Sequence, residues 1–93
     1  MGQATIEFLG RRWMAAVLLA AARGATRFSE YRRAITGISD NLLAQRLREL
    51  QAQGMMTRRV EPTTPVAIRY EISPAGFDLI RALQPLLHVR LPH

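Results

Sequence analysis

The chain has 93 residues, of which 48% are hydrophobic and 22% charged, the balance of one globular domain near the lower size limit for folding on a single core. Its formal net charge is +6, and all 13 basic residues are arginine. The absence of cysteine excludes disulfides, thiolate metal sites and cysteine-based redox sensing by this chain. It is compatible with the reducing cytoplasm, where we expect the protein to act.

The positive charge favours a polyanionic partner. Nucleic acid is the first candidate, because guanidinium groups suit phosphate and guanine. An anionic membrane surface is the alternative. The most apolar stretch, residues 14–22, is only about half as long as a bilayer span, so we expect neither a transmembrane segment nor a membrane partner.

Two helices are predicted in the N-terminal part. Residues 3–9 suggest a short helix that shows Ile6 and Leu9 on one side. Residues 12–23 (RWMAAVLLAAAR) are rich in good helix formers and apolar nearly all round, which predicts a buried central helix. Gly24 is placed to end this helix.

A short strand at residues 26–27 and a helix of about two turns are predicted next. The apolar side chains of this helix fall at helical spacing: Phe28, Tyr31 and Ile35. Arg32 and Arg33 lie on its outer side, where they could clamp phosphate or simply be solvated. The dipeptide Thr36-Gly37 ends the helix.

The following helix carries the strongest local signal. Ser39 is a good N-cap, and a carboxylate at Asp40 suits the helix dipole. One face of the helix is a leucine stripe, formed by Leu43, Leu47 and Leu50. Another face carries four residues that can contact DNA: Asn41, Ala44, Gln45 and Arg48. The amides of Asn41 and Gln45 can pair with adenine, Arg48 can pair with guanine, and the Ala44 methyl can contact a thymine methyl. The Ser39 hydroxyl can hydrogen-bond to a phosphate. Taken alone, the helix is equally compatible with an ordinary solvated polar face.

A β-hairpin is predicted over residues 55–72. Residues 62–65 (PTTP) read as a rigid turn between two strands. Three arginines flank the turn: Arg58, Arg59 and Arg69. Arginines on such a hairpin can follow the DNA backbone or enter a minor groove. Glu61 lies close in sequence and is an alternative partner for any one of them.

The last helix begins at Ser73-Pro74, a cap followed by proline at the first helical position. Its apolar residues form two stripes: Phe77, Ile80 and Leu87 in one, and Leu79, Leu83 and Leu86 in the other. We expect the first stripe to meet the core. The second should meet a partner subunit together with Ile6 and Leu9. Pro85 is expected to kink or shorten the helix near Leu83.

The predicted class is mainly α with a small β-hairpin (α+β). The order helix-helix-short strand-helix-helix-strand-strand-helix is that of a winged helix-turn-helix, with residues 1–93 forming one domain. The motifs GRRW, RFSEYRRAITGIS, LLAQRLRELQAQGM and RYEISPAG, in that order, resemble the HxlR-type family of bacterial winged-helix transcriptional regulators, relatives of the MarR type. The resemblance covers roughly residues 6–83.

The resemblance implies a repressor that binds double-stranded DNA as a homodimer. It places residues 39–48 in the major groove, makes the hairpin 58–69 the wing, and packs the first and last helices across the dimer interface. Members of the family that sense oxidants usually carry a cysteine ahead of the first helix, which this sequence lacks.

We therefore expect a sequence-specific regulator that binds a palindromic operator, with an unknown small-molecule effector as a possible further partner. No cofactor is expected, and His88 and His93 lack the companions of a metal site. The chain has no Gly-rich phosphate loop, cysteine nucleophile or paired acids, so an enzyme is not expected. The alternative is a winged helix that binds proteins instead of DNA.

Overall fold

The structure, a computed structural model, describes residues 13–87 and 91. The described chain forms four helices and a hairpin: α1 (Met14–Ala22), α2 (Phe28–Ala34), α3 (Asp40–Ala52), β1 (Met56–Glu61), β2 (Ala67–Ile72) and α4 (Pro74–Leu87). This is the predicted α+β arrangement. The helix expected at residues 3–9 lies outside the described part of the chain.

Helix α1 is the centre of the core. Its Met14, Val17 and Leu18 side chains are fully buried, and α2, α3, α4 and β2 all pack against it. The helix begins at Met14 instead of residue 12, because Trp13 has a φ of 73° in the left-handed region, which a right-handed helix cannot include. Gly24 ends it as predicted: at a φ of 109°, its N–H donates back to the last turn (3.1 Å to the Ala21 oxygen).

Helices α2 and α3 form the helix-turn-helix, joined by residues 35–39. The turn is fastened to the core by the buried side chains of Ile35 and Ile38. The Ser39 hydroxyl caps α3, since it accepts a hydrogen bond from the Leu42 N–H at 3.1 Å. The predicted leucine stripe of α3 is buried, which leaves the opposite face of the helix outward.

The hairpin is antiparallel, with its register running from Met56 opposite Ile72 to Glu61 opposite Ala67. Its base packs on the core, and its tip extends beyond it. The short strand expected at residues 26–27 is not formed. Residue 27 already caps α2, so this segment contributes a single backbone hydrogen bond to the edge of β2 instead.

Helix α4 starts in close contact with the link between α3 and β1. A Cβ at Gly76 would lie 2.2 Å from the Met55 carbonyl oxygen, so only glycine fits here. Ser73 fastens the same junction, because its hydroxyl donates to the Gly54 carbonyl (2.6 Å) and accepts from the Gly76 N–H (3.0 Å).

The expected shortening of α4 near Leu83 is wrong, because the helix continues through Pro85 to Leu87. Proline removes one backbone donor and crowds the carbonyl of residue 81, yet the described helix includes two residues after it. Across the described residues, none of the helices combines the length and the apolar character needed to cross a bilayer.

Candidate nucleic-acid interface

The outward face of α3 carries the four side chains predicted to contact bases. Asn41, Gln45 and Arg48 are exposed, and Ala44 is half-buried beside them. Their spacing of three, four and seven residues places them on one side of the helix. Arg48 makes no ion pair with any residue between 13 and 87. The structure therefore brings two amides, a methyl group and an uncompensated guanidinium together on one convex surface.

The beginning of α3 carries an ion pair that the sequence did not predict. Arg32 on α2 donates from Nη1 to both Asp40 carboxylate oxygens, at 3.1 and 3.4 Å. Both side chains are more than half exposed, at 52% and 59%. One of the two arginines proposed to clamp phosphate is thus held by a carboxylate at the start of α3. The Ser39 hydroxyl keeps its proton available to an outside acceptor, because in the cap it only accepts.

Arg33 points to another part of the surface. It is exposed and lines a cavity of about 680 Å³ between α1 and α2, whose other walls include Leu19, Ala34 and Ile35. No carboxylate within residues 13–87 pairs with it.

The three arginines of the hairpin have different surroundings. Arg59 lies 3.3 Å from Glu71 and 3.8 Å from Glu61. Arg69 pairs with Glu61 and is more than two-thirds buried, at 28% exposure. Arg58 points to the opposite face of the hairpin and has no carboxylate partner among the described residues. The alternative that Glu61 neutralises a hairpin arginine is therefore confirmed.

The hairpin is fastened to the helices through the free edge of β2. The Tyr70 N–H donates to the Thr26 carbonyl at 2.7 Å, and the Tyr31 hydroxyl donates to the Tyr70 carbonyl at 2.6 Å. Burial raises the pKa of Tyr31 well above its usual value, so the hydroxyl keeps its proton. Beside them, hydrogen bonds from the Arg27 and Thr26 backbone N–H groups lower the pKa of Glu30 to about 2.

The residues proposed for a dimer interface are only partly described. Ile6 and Leu9 lie outside the described residues. On α4, Leu79 is half-buried against the core, Leu83 is half-buried, and Leu86 is 75% exposed. Among the described residues, the exposure of this stripe increases towards the end of the helix.

Helix-turn-helix and hairpin together define a winged helix-turn-helix protein. The profile of the HxlR-like helix-turn-helix family matches residues 8–90. The chain belongs to this family.

Individual relatives are similar over most of their length. The HTH-type transcriptional regulator YvaP of Bacillus subtilis is 37% identical over 82 residues, which cover 88% of this chain and 72% of that protein. YtfH of Escherichia coli, also named an HTH-type transcriptional regulator, is 34% identical over 90 residues, covering 94% and 71%. The structure of the reduced form of the regulator YodB from B. subtilis superposes with a TM-score of 0.84 at 31% identity, covering 92% of this chain and 84% of that one.

Proposed function

We propose that the chain is a transcriptional repressor that binds a palindromic DNA operator as a homodimer. In this proposal residues 39–50 form the recognition helix and residues 55–72 the wing. Membership of the HxlR-like family supports the proposal, as does the naming of YvaP and YtfH as transcriptional regulators.

The observation that carries the proposal is the two-sided character of α3. Its leucine stripe is buried in the core, so the helix cannot rotate to hide its polar face. That face presents Asn41, Gln45 and Arg48 to the outside, where a major groove can accept a helix. Amide groups can pair with an adenine edge and Arg48 with a guanine edge, and Ala44 suits contact with a thymine methyl.

Contacts to the DNA backbone come from a different set of groups. The hydroxyl of Ser39 and the free N–H groups at the start of α3 are suited to a phosphate. Arg58, which has no carboxylate partner among the described residues, adds positive charge on the wing, and Arg33 adds it beside the cavity between α1 and α2. The positive charges of Arg32 and Arg59 are partly compensated by carboxylates, so we assign these two residues weaker phosphate contacts.

In this proposal, dimerisation joins two such domains through α4 together with the N-terminal residues Ile6 and Leu9. The half-buried Leu83 and the exposed Leu86 extend one stripe of the helix away from the domain's own core. A second copy that covers this stripe would shield apolar surface that a small domain cannot bury alone. Two-fold symmetry then sets the recognition helices about 34 Å apart, one turn of the duplex, and makes the operator a palindrome.

The proposal is tested by selecting bound sequences from random duplex DNA and then following affinity against salt. A palindrome recovered with a steep salt dependence is the expected result. The Arg48→Ala variant, selected in parallel, should lose preference at one position of each half-site and keep the remainder. Enrichment of no sequence by the wild-type chain would contradict the proposal.

A second candidate function is protein binding without specific DNA recognition. The observation in its favour is the apolar tip of the hairpin, where Val60, Val66 and Ile68 are 49%, 62% and 36% exposed. Two hairpin arginines are also neutralised by carboxylates. Salt separates the two candidates, since the affinity of a DNA-binding chain for duplex falls with every phosphate contact that is broken.

A further inference from the structure

Thr26 connects the wing to the helix-turn-helix through hydrogen bonds in both directions. Its carbonyl accepts from the Tyr70 N–H at 2.7 Å, and its hydroxyl accepts from Arg69 Nη1 at 3.1 Å. Its backbone N–H (2.9 Å) and hydroxyl (3.2 Å) both donate to Glu30 Oε1. A single side chain in the link between α1 and α2 thus bonds one residue on α2 and one on β2.

The Thr26 hydroxyl acts both as a hydrogen-bond donor and as an acceptor. A threonine hydroxyl has one proton to donate, which goes to Glu30, and it accepts the proton of Arg69. Arg69 is fixed on its other side by Glu61 within the hairpin. The chain of contacts runs from α2 through Thr26 to both strands of the wing.

The direction of the wing depends on the contacts at its base. Its tip is exposed, and the outer edge of β2 is not paired with a third strand in the described part of the chain. A two-stranded hairpin is only marginally stable on its own and bends readily, so contacts at its base govern where its tip lies. Among the described residues those contacts include the packing of Met56, Tyr70 and Ile72 on the core, the Tyr31 hydroxyl and the Thr26 group. A backbone hydrogen bond from the Ser73 N–H to the Met55 carbonyl (3.0 Å) also holds the end of β2.

We infer that Thr26 is a positioning residue that sets the angle of the wing relative to α3, and that its hydroxyl contributes to DNA binding only through the wing. The inference rests on the proposed function for its consequence on DNA, and on the hydrogen bonds alone for its consequence on the wing. Thr26→Val keeps the shape of the side chain and removes both hydroxyl bonds. Thr26→Ser keeps both bonds.

The first arm of the test needs no DNA. Residual dipolar couplings of backbone amides report the orientation of β1 and β2 relative to α3, and hydrogen exchange reports the Tyr70 N–H. Thr26→Val should rotate the wing and speed exchange at Tyr70, whereas Thr26→Ser and the exposed control Thr57→Val should match the wild type. An unchanged wing orientation in a folded Thr26→Val chain would overturn the inference, whatever the chain does with DNA.

The second arm measures affinity for the duplex that the wild type selects from random sequence, in two double-mutant cycles. Thr26→Val should weaken binding roughly threefold or more. This equals the affinity that one phosphate contact loses when the salt concentration rises about fourfold. In the Arg58→Ala background the loss should be clearly smaller, because the main phosphate contact of the wing is already removed. In the Gln45→Ala background its effect should be undiminished.

Equal losses in the two backgrounds would show that Thr26 acts by general destabilisation, which contradicts the inference. Rescue by Thr26→Ser is the matched control for the hydroxyl. Absence of duplex binding by the wild type itself would count against the proposed function alone, since the dipolar couplings still decide the role of Thr26.

Discussion

Asp40→Asn tests how the ion pair at the start of α3 limits attraction to the DNA backbone. The change removes the carboxylate that holds Arg32 at 3.1 Å and keeps a side chain of similar shape at the first residue of α3. Because both partners are more than half exposed, the pair itself stabilises the fold by only about 0–1 kcal/mol. The variant should therefore fold normally, with a small loss of the favourable interaction between a carboxylate and the helix dipole.

The effect on DNA binding should be larger and opposite in sign. A freed Arg32 that neutralises one phosphate steepens the dependence of log affinity on log salt by about 0.9. Between 1 M and 0.1 M salt that slope corresponds to roughly eightfold tighter binding, which is the upper limit for a single contact. We expect Asp40→Asn to bind roughly three- to eightfold more tightly at 0.1 M salt.

Fluorescence anisotropy with the selected duplex over a salt series measures both the affinity and its dependence on salt. Asp78→Asn, on α4, is the matched control, since it changes the net charge equally outside the helix-turn-helix. Adding Arg32→Ala to Asp40→Asn should return the salt slope to that of the wild type. Weaker binding by Asp40→Asn, or a slope equal to that of the control, would refute the reasoning.

Three further predictions concern the fold, the cap of α2 and assembly. Gly76→Ala places a methyl group 2.2 Å from the Met55 carbonyl oxygen. The free energy of unfolding, measured with urea, should therefore fall by at least about 1–3 kcal/mol. Because the folded pKa of Glu30 is about 2 instead of 4.5, its carboxylate stabilises the fold above pH 4.5, and this contribution is lost as the pH falls to 2. The difference in melting temperature between the wild type and Glu30→Gln should close over that range, and a constant difference would contradict it. Leu83→Glu combined with Leu86→Glu should convert a dimer to a monomer in sedimentation, with helicity unchanged.

The parts of the fold that the sequence predicted depend on neighbouring residues. Gly24 and Ser39 mark helix ends through chemistry that acts over a few positions, and the structure confirms both. The leucine stripe of α3 repeats at helical spacing, so its burial was also predictable. By contrast, Trp13 adopts a left-handed conformation for which no local signal exists, and α1 consequently starts later than expected.

The parts that could not be predicted join residues far apart in the chain. The Tyr31 hydroxyl reaches the carbonyl of Tyr70 across 39 positions, and Arg69 reaches Thr26 across 43. Composition and spacing carry no information about such pairs. The same holds for Gly76, whose missing side chain matters because the start of α4 passes close to Met55, in the link between α3 and β1.

In the candidate site, too, local features could be predicted and contacts between distant residues could not. Spacing along α3 was enough to place Asn41, Gln45 and Arg48 on one exposed face. The ion pairing of the surrounding arginines could not be predicted, because it depends on which carboxylate each one meets after folding. Glu61 next to Arg69 was a foreseeable pair, whereas Asp40 with Arg32 became visible only in the folded chain.

The most direct test of the central claim compares two arginine variants on two duplexes, the selected operator and a random sequence. Arg48→Ala should cost about 1–3 kcal/mol on the operator and little on random DNA, because it removes a base contact. Arg58→Ala should weaken binding to both duplexes alike and reduce the salt slope by about one. Equal losses on both duplexes for both variants would show that α3 does not read bases, and would contradict the assignment of residues 39–50 as the recognition helix.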